Sequence, residues 1–333
     1  MLRNLDYWQG ARYQFGQKKG HYESWFLRAN HPSRNEAFWI RYTIFSPHGR
    51  PQDAIGELWV IHSDGENKRV RAAKEELPVT DCHFSPRGLN VKIGEATLRP
   101  GELQGEARRP HRIRWNLRYE GGGAPMVFLP ENLYETPLPK AKAVTQRPLV
   151  RFSGTLEVDG ETVEIRDWTG SENHNWGSKH TDTYAWGQVA GFDDAPDAFL
   201  EAATAKLKFG PLWTPPLTIL CLRLEGEDYK LNALTQSLRA TGSWEYFDWR
   251  FDSRDRKSGL RIHGRIHATR ADFVGLTYYN PPGGAHTCLN SKIAACELTL
   301  ERPGRPPRTL HTAHRAAFEI LTDDTGHGVP LAT

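Results

Sequence analysis

The sequence predicts an all-β protein built from two strand-rich halves, each near the size of a small antiparallel barrel or sandwich. Three observations carry this. Apolar and polar residues alternate with period two along most of the 333 residues, the pattern of strands that bury one face. Clusters of Gly, Pro and Asp separate these runs, as turns separate the strands of sandwiches and barrels. Only residues 198–208 and 312–319 offer even a weak helical pattern, so little helix is expected.

The clearest strand is Arg112 to Tyr119, where Ile113, Trp115, Leu117 and Tyr119 fall on one face and Arg112, Arg114, Asn116 and Arg118 on the other. Before it, Phe38 to Phe45, Gly56 to His62 and Leu89 to Ile93 show the same alternation or a short β-rich run. After it come Phe152 to Val158, Tyr184 to Val189, Leu217 to Leu224, Trp244 to Phe251, Leu260 to Ala268 and Ile293 to Leu300. Between Gly121 and Pro148 the chain is rich in Pro and Gly and has no sustained period, which marks it as the expected linker. The expected domains are therefore 1–145 and 146–333.

Composition narrows the function. With 43 Lys+Arg against 40 Asp+Glu the net charge is +3, too balanced to announce a polyanion partner. The basic run Arg108 to Arg118 alternates with Ile113, Trp115 and Leu117, so it reads as a solvated strand face, and no nucleic-acid partner is expected. No stretch approaches the ~18 to 20 apolar residues of a membrane span. Residues 1–15 have no apolar core or small-residue cleavage site of a signal peptide, so a cytoplasmic protein is expected. The four cysteines, Cys82, Cys221, Cys288 and Cys296, form no CxxC pair and read as reduced, structural thiols. His263 with His267, and His174 with His180, make no recognised ligand set, and nucleotide-loop and nucleophile-elbow motifs are missing. Neither a metal nor a cofactor is expected, and the oligomeric state stays open, a homodimer included.

The densest functional segment is Gly170 to Gln188, GSENHNWGSKHTDTYAWGQ. In extended chain Glu172, His174 and Trp176 share one face, and Tyr184, Trp186 and Gln188 share a face of the next strand. Aromatic walls with a few placed polar groups suit a site for an apolar small molecule. Burying a carboxylate, two amides and an imidazole side by side is costly unless they are paired or serve a purpose, which favours a pocket over a plain core.

RFSGTLEVDG followed by GSENHNWGSKHTDTYAWGQV resembles the middle of the lipocalin-like superfamily that contains carotenoid hydratase (hydroxyneurosporene synthase), tocopherol cyclase and some fungal pericyclase relatives. The matching positions are Asn173, His174, Asn175, Trp176, Gly177, Tyr184, Trp186 and Gln188. NPPGGAHTCLNSKIAACELTL, with the pair Asn290 and Ser291, is similar to a later segment of that group, and GHYESWFLRAN and AFWIRYTIFSP to its first-barrel strands. The resemblance implies two tandem lipocalin-like (calycin-type) antiparallel β-barrels packed together, with an apolar cavity near their junction. It also implies protonation of an alkene and capture of the cation by water or an internal hydroxyl, on an isoprenoid or polyketide-like substrate. Where that group carries an acid before His174, this chain has Asn173, and an amide cannot donate such a proton.

The expected reading is therefore a cofactor-independent hydratase, dehydratase or cyclase acting on a hydrophobic small molecule. Glu172 is its first candidate acid, His174 orients it or shuttles the proton, Tyr184 donates to a substrate oxygen, and Asp182 is a second acid. Asn173, Asn175, Trp176, His180, Trp186, Gln188, Glu23, Trp25 and Trp39 are the candidate substrate-binding residues. The alternative is a non-catalytic carrier using the same cavity.

Overall fold

The computed structural model describes residues 4–332. It is all-β, with two large curled antiparallel sheets of lipocalin-like character. Thirteen strands between His21 and Gly177 form the first sheet, and ten strands between Thr183 and Thr322 form the second. The first sheet curls so that its terminal strand, Arg109–Pro110, which pairs with Ala73 and Lys74, leads in the chain to Ile113–Gly121 near the other end of the strand order. Helix is confined to short pieces such as Leu5–Gln9 and Leu234–Ser237. Among the described residues no helix is long and apolar enough to cross a membrane.

Each barrel is filled by its own side chains. Ile113, Trp115, Leu117 and Tyr119 point into the first core as the alternation predicts, and the arginines between them are exposed. Arg114, with Arg112 just before the strand, pairs with Glu106 on the neighbouring strand, so their charge is locally compensated. The second core gathers Leu220, Leu222, Trp249, Phe251, Ile262, Ile266 and Phe318. Along Glu36–Ser46 nearly every residue is buried, because Phe38, Ile40 and Tyr42 enter the barrel while Trp39 and Arg41 face the second sheet.

Three sequence expectations are corrected. The chain changes sheet between Gly177 and Thr183, not at 145: Ala141–Val158 is one long strand of the first sheet, paired on either side with Ile113–Gly121 and Glu161–Gly177. It tolerates Pro148 because the register shifts there, at a bulge where the missing amide donor is not needed. The segments with a weak helical pattern are the strands Phe199–Lys206 and Arg308–Thr322, where pairing on both sides overrides local propensity. Trp244 to Phe251 is not one strand but two, Thr241–Glu245 and Asp248–Arg254, turning at Tyr246 and Phe247.

The two barrels meet along a seam that is apolar at its flanks and polar at its centre. Trp39, Trp59, Leu276, Tyr278 and Leu321 pack on one flank. Met126, Phe128, Phe199 and Cys221 pack on the other. Between them the fully buried Arg28 donates to the carbonyl of Gln188 (3.2 Å), to Gln188 Oε1 (3.3 Å) and to the carbonyl of Arg315 (2.8 Å). Asn30 donates to the carbonyls of Lys292 (2.8 Å) and His314 (3.1 Å). A buried guanidinium with so many acceptors fixes how the first barrel sits on the second.

Candidate active site

Between the barrels lies a cavity of about 570 Å³, within the usual range for small-molecule sites. The first sheet contributes Tyr22, Phe26, Trp39, Arg41 and Asn175, and the second Tyr184, Trp186, Glu201, Tyr278 and Glu319. The loop around Phe128 to Pro139 and the turns near Phe209 and Leu234 complete the wall. The lining is mainly aromatic and aliphatic, with a few polar groups set into it.

Two carboxylates of this wall are driven in opposite directions. Glu201, only 2% exposed, has its pKa pushed up to about 7 by burial, against hydrogen bonds from Thr145 and Trp186 that lower it. Trp186 Nε1 donates to Glu201 Oε1 (3.2 Å), and Thr145 Oγ1 lies 2.8 Å from Glu201 Oε2. Burial would also raise Glu319, but the charge and hydrogen bond of Lys292 (2.7 Å), helped by Asn290 (3.0 Å), hold it below its ordinary value. Trp186 stands opposite Glu319 in the strand register and hydrogen-bonds Glu201, so one indole separates a readily protonated carboxyl from an ionised one. Lys292, itself buried, lies 5.1 Å from the Trp39 ring and 5.8 Å from that of Trp186. Burial raises the pKa values of Tyr184 and Tyr278 well above the ordinary range, leaving both phenols as donors. Burial also lowers that of His180, which stacks on Tyr22 at 3.8 Å as a neutral ring.

Behind Glu201 runs a hydrogen-bond chain whose directions are fixed from one end. Arg28 can only donate, so Gln188 Oε1 accepts from it and Gln188 Nε2 donates to Asn173 Oδ1 (2.8 Å). Asn173 Nδ2 accordingly donates to the Phe26 carbonyl (3.2 Å) and to Ser171 Oγ (2.9 Å). The Thr145 hydroxyl lies 3.1 Å from Asn173 Oδ1 as well as beside Glu201, and it has one hydrogen to give. When Glu201 is protonated it donates to Thr145, which donates to Asn173. When Glu201 ionises, Thr145 turns its hydrogen to the carboxylate and the Asn173 bond is lost.

The sequence candidates divide between the two faces of the Glu161–Gly177 strand. Glu172, His174 and Trp176 do share a face, but it turns into the first barrel: their partners on His21–Asn30 are Leu27, Trp25 and Glu23. The alternate residues Asn173 and Asn175 pair with Phe26 and Ser24 and face the second sheet. Glu172 is fully buried away from the cavity, accepts from Gln9 Nε2 (2.5 Å), and is raised by burial. His174 bridges the Trp8 carbonyl (2.7 Å) and Glu23 (2.8 Å) and stacks on Trp25. Glu23 accepts from the amides of Arg12 and Tyr13; burial would raise it, but its bonds to His174 and His21 bring it down to about 2. These residues tie down the N-terminal segment, with Trp25 in the barrel core and Trp176 packed on Trp8 and Tyr134.

Asp182 pairs with Lys179 and accepts from the Lys208 amide, outside the cavity lining. Asn173 and Gln188 belong to the chain behind Glu201, one layer from the cavity. Tyr184, Trp186, Trp39, Asn175 and His180 lie on the cavity wall, and the Asn175 Oδ1 has no hydrogen-bond partner. Sequence reasoning missed Glu201, Glu319, Lys292, Arg41 and Tyr278. The signal for Glu201 was a single acid in an apolar run, FLEAATAK, and it becomes legible only once that run is a strand placing Glu201, Ala203 and Ala205 on one side.

Fold and cavity together define a lipocalin-like two-barrel protein with an apolar chamber between the barrels. No protein-family profile matches the chain. Over 323 residues it is 26% identical to an uncharacterised protein found in two strains of Mycobacterium tuberculosis, covering 93% of this chain and 88% of that one. Among solved structures it is similar to an AttH-like protein of Nitrosomonas europaea (TM-score 0.57, 14% identity, 93% of this chain and 97% of that one). Kievitone hydratase from Nectria haematococca is also similar (TM-score 0.56, 12% identity, 90% and 89%). So is CghA (TM-score 0.56, 10% identity, 93% and 90%). These likenesses establish the shared fold.

Proposed function

We propose that the protein is an acid–base enzyme that hydrates, dehydrates or cyclises a hydrophobic, isoprenoid or polyketide-like small molecule, with Glu201 as the proton donor. One observation carries this reading: a carboxyl with a pKa of about 7 on the wall of an apolar cavity. At neutral pH such a group is both substantially protonated and able to give its proton up. The proton moves from Glu201 to one carbon of an alkene, whose π pair forms the new C–H bond and leaves a cation on the neighbouring carbon. Water adds through oxygen, and the proton it sheds returns to the Glu201 carboxylate. Dehydration is the reverse, and in cyclisation an internal hydroxyl takes the place of water. The faces of Trp39, Trp186 and Tyr184 supply the electron-rich surroundings that a developing cation needs. The name of one structural neighbour, kievitone hydratase, points in the same direction.

The test is incubation of the purified protein with polyenes and prenylated phenols in water carrying heavy oxygen, followed by mass spectrometry. A product heavier by one labelled water is expected from hydration, and an isomer of unchanged mass from cyclisation. Either signal is lost in Glu201→Gln and kept in Glu172→Gln. If substrates co-purify but return unaltered, the protein is a carrier and the role given to Glu201 is withdrawn.

A further inference from the structure

Among the described residues nine large apolar side chains stand exposed, and six of them gather on three segments that frame the cavity's opening: Leu138, Phe209, Leu212, Trp213, Leu234 and Leu238. Leu138, Phe209, Leu234 and Leu238 are themselves part of the cavity lining although more than half exposed, so they mark where the chamber meets solvent. Leu212 (71% exposed) and Trp213 (50%) form the outer strand of a two-residue hairpin with Lys208 and Phe209. A soluble surface rarely concentrates apolar side chains in this way without a partner.

The charges around the rim indicate which partner. Residues 206–217 and 232–240 contribute Lys206, Lys208 and Arg239 and contain no carboxylate. Lys208 sits 5.6 Å from the Trp213 ring, an indole and an ammonium side by side on the hairpin. The third segment is mixed, with Glu131 and Glu135 balanced in part by Lys140. Aromatic and aliphatic tips flanked by lysine and arginine suit the boundary of an anionic lipid surface, where rings enter the headgroup layer and cations meet phosphate. The rim is built from short loops, a hairpin of two-residue strands and a four-residue helix.

We infer that this rim docks on an anionic phospholipid bilayer, so that the chamber opens toward the lipid and takes up its hydrophobic ligand without passage through water. The inference rests on the apolar chamber and not on the acid: a Glu201 variant without turnover still docks.

Flotation of the full chain with unilamellar vesicles of phosphatidylcholine, with and without about one-third phosphatidylglycerol, tests it. The protein is expected to float with the mixed vesicles, to bind the neutral ones less, and to lose part of its binding at high salt. Leu212→Glu/Trp213→Glu lowers the bound fraction at least about tenfold. Arg166→Glu removes a cation about 30 Å along its strand from Asn175, at about 3.3 Å per residue, and leaves flotation unchanged. Both altered residues of the double variant are exposed, and an unchanged melting transition confirms its fold. Absence of flotation with either vesicle overturns the inference. So does a homodimer that the double variant splits while vesicles go unbound, because the rim is then a contact between copies.

Discussion

Replacing Glu201 with Gln separates the electrostatic argument from any question about substrate. Gln is close in shape, can accept from Trp186 through Oε1, and can donate to Thr145, as protonated Glu201 does. The ordinary value of 4.5 and the folded value of about 7 set the window. Below 4.5 the carboxyl is protonated folded and unfolded alike, so wild type and variant differ little. Between 4.5 and 7 the unfolded chain releases its proton while the folded chain keeps it, so wild-type stability falls as pH rises. Above 7 both states are ionised and the loss is complete. At about 1.4 kcal/mol per pH unit over that window the total is about 3 kcal/mol. All other titrating groups are shared and cancel in the difference. Urea unfolding of both proteins between pH 4.5 and 8.5 is expected to show Glu201→Gln gaining about 3 kcal/mol on wild type across the series. A difference that does not change with pH, or that grows toward acid, would refute the placement of a readily protonated Glu201 in this wall.

Thr145→Val removes a hydrogen bond that lowers the Glu201 pKa, so that pKa rises further. The alkaline limb of the turnover profile moves up by a measurable fraction of a pH unit, turnover drops roughly tenfold, and Thr145→Ser restores both. Lys292→Met leaves Glu319 buried without its ion-pair partner and costs about 3 to 5 kcal/mol in urea unfolding. Lys292→Met/Glu319→Gln recovers most of that loss, since the desolvated charge is gone.

Much of the fold was legible because strands advertise themselves by parity. Ile113 to Tyr119 needed nothing beyond alternation. Alternation fails where both faces are buried, as at Phe199–Lys206, whose alanines suit a helix as well as a strand. The linker reading failed because a largely irregular excursion after Gly121 returns to the same sheet: Ile113–Gly121 and Ala141–Val158, the strands on either side of it, pair with each other. In the site, parity was again decisive and insufficient. It shows that Glu172, His174 and Trp176 lie together, but not which side of the sheet the cavity takes, and a choice of face shifts every residue by one. Tyr184 and Trp186, two apart on their strand, share the face that meets the cavity. Glu201 and Glu319 were missed because their chemistry comes from long-range burial and, for Glu319, from Lys292, on a neighbouring strand far away in sequence.

The chamber lies outside both barrels, against the outer faces of strands whose inner faces hold the cores. Along Glu36–Ser46 the odd-numbered Trp39 and Arg41 meet the chamber, while the even-numbered Phe38, Ile40 and Tyr42 hold the barrel together. Two selective pressures therefore act on one strand without sharing a residue. Chamber shape can drift by odd positions and rim loops while the packed interiors stay constant. An architecture of this kind can preserve its skeleton at low sequence identity and still present a different interior to each small molecule it meets.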